Sequence, residues 1–140
     1  MGSFNGMNGD MLVIGGFDTS GQPSSVVERL SGNTWSTLMP MPTARGKLAT
    51  SSAANALIAT LGGSDGTKAL GNFEEYDEST NAWTTLPAMP TPREGICAAF
   101  VQNGPSQRIY AIGGDSPSGS VMNVLPVVEA FDFGSMTWVR

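Results

Sequence analysis

Arg45 and Arg93 stand in the setting most suggestive of chemistry. Each lies ten residues after a tryptophan, Trp35 or Trp83, and each closes the same run, Met-Pro-x-x-Arg. A guanidinium held at a fixed place can grip a carboxylate through two parallel hydrogen bonds. Acids at matching places are Glu28, Glu74 and Glu129, in the segments Val27-Glu28-Arg29-Leu30, Phe73-Glu74-Glu75-Tyr76 and Val128-Glu129-Ala130-Phe131. Because both residue types recur, a structural ion pair is the favoured use of the arginines, with ligand binding as the alternative. Lys47 and Glu94 recur less regularly and are better candidates for binding. Asp18, Asp65 and Asp115 each follow a glycine pair, and with Lys68 they could form a polar rim. The plainer expectation is that each Asp closes its own turn by bonding to nearby backbone.

Other chemistries lack their residues. The chain has no histidine, which removes His-based triads, His metal ligands and the usual proton shuttle. Cys97 is the single cysteine, so no internal disulfide forms. Its neighbours Ile96, Ala98 and Ala99 suggest a buried structural thiol. No catalytic residue, metal site or cofactor is expected. Twelve acids against seven bases give a net charge of −5, which argues against nucleic acid, since phosphate binding needs clustered Lys and Arg. No stretch approaches the ~18 apolar residues of a membrane span. The first residues lack the basic and apolar regions of a signal peptide, and the compartment stays open.

The elements that must position these residues form a repeat. Glycine pairs stand at Gly15-Gly16, Gly62-Gly63 and Gly113-Gly114, 47 and 51 residues apart, each after an apolar run. Trp35, Trp83 and Trp138 recur in step, and at a fixed repeat position they read as packing between units. Each unit reads as four short strands, a to d. Strand a is expected at 48–54 in the second unit and 96–101 in the third, the latter so apolar that cover on both sides is expected. Strand b ends in the glycine pair, strand c carries the apolar-Glu-x-bulky segment, and strand d starts at the tryptophan. Pro40, Pro42, Pro87, Pro90 and Pro92 follow strand d, where a residue without an N–H ends a ladder. The methionines, Met7 and Met122 among them, read as filler. A single domain over 1–140 is expected, with units of about 1–42, 43–90 and 91–140.

On the glycine pairs, the Glu-x-Tyr/Phe segment, the tryptophan and the Met-Pro-x-x-Arg tail, the chain resembles the kelch family. The chain departs from the family's pattern in the first unit, where Leu30 replaces the aromatic, and in the third, which carries inserts at 104–107 and 124–126. The resemblance implies an all-β chain of about three four-stranded antiparallel blades of a β-propeller. Closed propellers have ~4–8 blades, so the chain is read either as part of a longer propeller or as half of a six-bladed ring completed by a second copy. It also implies an interaction module that presents its b–c and d–a loops, the former at 17–22, 64–68 and 115–120, to a protein partner not identified by sequence. Two alternatives stay open. One is a sugar-binding enzyme similar to the sialic-acid mutarotases, drawing on Arg45, Arg93 and Glu94. The other is a structural repeat of a larger surface protein. The copper radical oxidases of the same repeat type need a histidine that this chain does not have.

Overall fold

The computed structural model describes the backbone of residues 2–5 and all of residues 9–53, 55, 57–117 and 123–140. Met7, Ala54, Met122 and positions 118–120 of the third b–c loop lie outside the described residues. Twelve strands make three antiparallel sheets of four. The first holds β1 (Gly2–Asn5), β2 (Met11–Phe17), β3 (Pro23–Ser31) and β4 (Thr34–Thr37). The second holds β5 (Ala49–Ser52), β6 (Leu57–Leu61), β7 (Phe73–Asp77) and β8 (Ala82–Leu86). The third holds β9 (Cys97–Asn103), β10 (Ser106–Ile112), β11 (Val128–Asp132) and β12 (Thr137–Val139). Strands pair in sequence order within each sheet, so every sheet is a meander, the form of a propeller blade. The innermost strands lie side by side, β1 against β5 and β5 against β9, and the three blades do not close a ring.

The register makes the three blades equivalent residue by residue. Ile14 faces Val27, Leu61 faces Phe73, and Ile112 faces Val128 across strands b and c. Side chains alternate, so each blade has a face toward the preceding blade and a face toward the next. We call these leading and trailing. The hydrophobic cores lie between blades. Leu12, Ile14 and Val27 of the first trailing face meet Ile58 and Tyr76 of the second leading face, with Met41 and Leu48 between. Ala59, Leu61 and Phe73 of the second trailing face meet Ile109, Ala111 and Phe131, with Met89 and Ile96 between. Phe73 and Phe131 pack edge to face, ring centres 5.1 Å apart, the geometry that aromatic quadrupoles favour.

The glycine pair allows this close approach. Gly62 has φ of +60°, and a Cβ there would lie 2.5 Å from the carbonyl oxygen of Arg93. That carbonyl accepts the N–H of Gly63 at 2.9 Å, tying the second blade to the loop entering the third. The equivalent Gly113 has φ of +63°, yet nothing lies within 4 Å of a Cβ built on it.

That openness corrects two expectations. Strand a of the third blade is not covered on both sides, and Cys97 is exposed rather than buried. Cys97 sits opposite Ile112 on the trailing face of the third blade, which no blade covers among the described residues. Its counterpart Ala49, opposite Leu61, is buried because the third blade lies over it. Ile112 is 40% exposed where Ile14 and Leu61 are fully buried.

We expect Gly113→Ala to cost only the left-handed strain of about 1 kcal/mol. Gly62→Ala adds a clash with backbone that has no room to move, and should cost more than twice as much by urea denaturation. Equal losses at the two sites would refute this account of the glycine pair.

Candidate functional site

Strands b and c of one blade and the proline-rich tail of the blade before it converge on each arginine. The tail stays bound to its own blade. Met41 donates to Ser25 and Arg45 to Ser24, and in the next repeat Met89 donates to Gly71 and Arg93 to Leu70. From that anchor the side chains reach forward. Arg45 Nη1 meets Glu74 Oε2 at 2.5 Å, and both side chains are sealed from solvent. Thr43 donates to the other oxygen of the same carboxylate at 2.6 Å. Arg45 also donates to the carbonyls of Gly62 and Thr43 and to Thr60 Oγ1. Arg93 repeats the pattern with Glu129 Oε2 at 3.0 Å, Thr91 on Oε1 at 2.6 Å, and the carbonyls of Gly113 and Val127.

Such a pair holds only because every polar atom is answered, since burying two charges costs several kcal/mol per ion before they attract. Burial lowers the Arg45 pKa from its usual value, and the Glu74 charge and hydrogen bond oppose that shift. Burial alone would raise the Glu129 pKa. Its bonds from Thr91 and Arg140 and the charge of Arg93 outweigh burial and hold it below the usual carboxylate value. Arg45 and Arg93 therefore join blades and have no surface to offer a ligand. Glu28, the third repeated acid, has no arginine partner among the described residues and is half-buried.

The remaining residues singled out from sequence lie in the b–c and d–a loops, at one end of the blades. Asp18 accepts the N–H groups of Ser20 and Gln22, and Asp65 those of Thr67 and Lys68 together with the Thr67 hydroxyl. These bonds, led by the Thr67 hydroxyl, lower the Asp65 pKa to about 2. Both aspartates close their own turns. Lys68 is exposed beside Asp65.

Asp115 does not belong with them. It sits one residue nearer its glycine pair, at the place of Ser64, and its backbone bridges Glu94 as Ser64 bridges Gly46. Its Oδ1 is buried without a hydrogen-bond partner. Lys47 has φ of +52° where the next repeat has Gly95, and its ammonium pairs with the buried Glu94. Gly95 donates to the Lys47 carbonyl at 3.0 Å, so the two d–a loops are linked by backbone as well. Lys47, Glu94 and Asp115 thus form one connected group in which Gly46, Gly95 and Ser64 are the repeat counterparts. Among the described residues no three His, Cys, Asp or Glu side chains could jointly hold a metal ion.

Sequence reasoning missed Thr43 and Thr91, although their recurrence two residues before the arginines was a usable signal. It also missed Glu75, which has no repeat counterpart: Arg29 and Ala130 take its place. Glu75 lies on the trailing face of the second blade, opposite Ala59 and Thr84, with Oε1 unpartnered.

Three meandering blades joined by buried arginine–glutamate pairs define a β-propeller repeat protein. The Kelch motif matches residues 3–42 and 60–90, half of the chain, and the protein belongs to the kelch family. The third blade lies outside the matched stretches, yet its strand order and its arginine pair are the same. No curated protein matches the chain. Kelch motifs are characteristic of protein-interaction modules. No helix among the described residues is long and apolar enough to cross a membrane.

Two outcomes follow for the buried acids. Arg45→Ala leaves Glu74 buried and uncompensated, and should cost about 3–5 kcal/mol in denaturant unfolding. Glu75 behaves differently, because burial raises its pKa from 4.5 to about 7. The folded state then keeps a proton that the unfolded chain has lost, so its contribution to stability falls as pH rises from about 4.5 to 7. Glu75→Gln should melt above the parent at pH 8, with the gain shrinking to nothing near pH 4. A pH-independent difference would show that desolvation is not the cause.

Proposed function

We propose that this chain is a binding module that presents its b–c and d–a loops, at one mouth of the propeller, to a protein partner. One observation carries the reading. Arg45 with Glu74 and Arg93 with Glu129 are consumed in joining blades, whereas Lys47, Glu94 and Asp115, which break the repeat, lie together in the loops at one end of the blades. Lys47, Glu94 and Asp115 replace Gly95, Gly46 and Ser64 of the companion repeat. A lysine in the left-handed region costs about 1–2 kcal/mol relative to a glycine, and a buried carboxylate oxygen without a donor also costs stability. The companion residues Gly95 and Ser64 stand in stacked blades without either departure. Both departures suit a surface whose remaining hydrogen-bond capacity a partner completes, on loops held by a rigid scaffold.

The sugar-enzyme alternative draws no support from Arg45 and Arg93, which are wholly enclosed by protein. Of the three residues it would use, Glu94 alone stands at the mouth, and it is paired with Lys47.

The test uses the immobilised 140-residue chain and a partner selected from a displayed protein library. Lys47→Glu and Asp115→Lys should each weaken binding at least tenfold; because Lys47→Glu also leaves the buried Glu94 without its partner, binding is compared at a temperature where circular dichroism shows each variant to be folded. Asn33→Lys, in the β3–β4 turn at the opposite end of the blades, should leave binding intact. The reverse pattern would place the interaction at the other end and refute the proposal.

A further inference from the structure

Strand c places residues 29, 75 and 130 at one repeat position on the trailing face, and there the blades differ: arginine, glutamate and alanine. The Arg29 side chain is long enough to leave its interface. It is 39% exposed, with Nε 3.8 Å from Asp10 Oδ2. Glu75 is shorter and stays inside, 7% exposed, with Oε1 buried and unbonded. The face it shares with Ala59 and Phe73 meets the third blade, where Phe133 and Trp138 turn their edges to Phe73, ring centres 6.2 and 5.8 Å away. Among the described residues no charge stands ready to answer Glu75. On its own face the neighbouring ionisable group is Asp77, another acid, bonded to Ser79. Strands β6 and β8 place Ala59 and Thr84 opposite it. The leading faces of β9, β10 and β12 carry no ionisable side chain, and that of β11 carries Glu129. The cations of that interface, Arg93 and Arg140, are both bonded to Glu129.

We infer that ionisation of Glu75 opens the joint between the second and third blades while the joint between the first and second stays closed. The fold thus carries a pH-sensitive device at one interface. A protonated carboxyl is a neutral group that an aromatic layer tolerates, whereas an unpaired anion there pays a large desolvation cost. Parting the two faces lets water reach it. In the closed state burial holds the Glu75 pKa up at about 7, and in the open state the group returns toward the ordinary 4.5. The ratio of open to closed molecules therefore rises with pH between those values and levels off above them. Glu129 does not follow the same course, because its bonds hold it below the usual carboxylate value and it is ionised throughout. At the first joint the buried acid, Glu74, is answered by Arg45. Opening the second joint uncovers Phe73 and Phe131, both fully buried when it is closed. The device lies between blades, separate from the loops, and does not depend on what those loops bind.

Each joint carries its own reporter. The Trp138 indole N–H donates to the carbonyl of Pro87 across the second joint, and the Trp83 indole N–H to that of Met39 across the first. Exchange of both indole protons is followed by NMR from pH 5 to pH 8, each rate divided by the intrinsic rate at that pH. In the 140-residue chain, protection of Trp138 should fall at least tenfold over this range, and that of Trp83 by less than twofold. In Glu75→Gln, which keeps the shape and removes the charge, Trp138 protection should stay within twofold. Glu75→Ala, which copies the residue of the third repeat, should behave in the same way and serves as a second variant. An equal fall at both tryptophans would overturn the proposal, since the whole molecule would then be loosening. A tenfold fall that survives in either variant would overturn it by assigning the effect to another group. Trp138 protection that does not change with pH in the parent chain would overturn it outright.

Discussion

The buried carboxylate of Glu74, held by Thr43 and Arg45 from the blade before it, is the constraint on which the rest of the structure turns. A four-stranded meander has two faces and cannot cover either alone. Its apolar residues become core only when the next blade arrives at the right angle and height. The arginine sets that height, because its guanidinium spans from the tail to strands b and c of the following blade. The glycine pair sets the distance, because only a residue without Cβ lets strand b approach the arginine carbonyl. The tryptophan closes the outer edge with one bond to the tail. Three separate devices thus act on the same tail, and Glu129 with Thr91 and Arg93 repeats them.

Much of this was legible in the sequence because each device is a residue type that recurs. Glycine pairs, tryptophans, prolines and the Glu-x-aromatic segment located the strands, their order and the exits between blades. The resemblance to the kelch family rests on those same residues. Which glutamate each arginine would meet was not legible. The tail of one blade serves the acid of the next, and spacing along the chain does not reveal a contact made across an interface. Cys97 was misread for a related reason. Its local sequence is as apolar as that of any buried strand, but burial here depends on whether a neighbour lies over the trailing face.

The mouth was harder still. Asp18, Asp65 and Asp115 look alike by distance from a glycine pair, yet a difference of one residue in that distance separates two turn-formers from a bridging residue with an orphaned oxygen. A period-two element turns such a slip into a change of face. Lys47 and Glu94 were singled out because they broke the repeat, and the structure brings them together as an ion pair.

Placing every core between blades has a consequence for cooperativity. A row of n such units contains n − 1 interfaces, while a ring of the same units contains n. Closing the ring therefore adds a whole interface with no added residue, and it links ends already held at high effective concentration. In the open row, an end blade is secured on one side only and can detach while its neighbours remain folded. The central blade, with Glu74 on one face and Phe73 on the other, is the last to be released. A kelch chain is thus better described as a set of coupled links than as one cooperative globule. The strength of each link is written in a single tail of about ten residues.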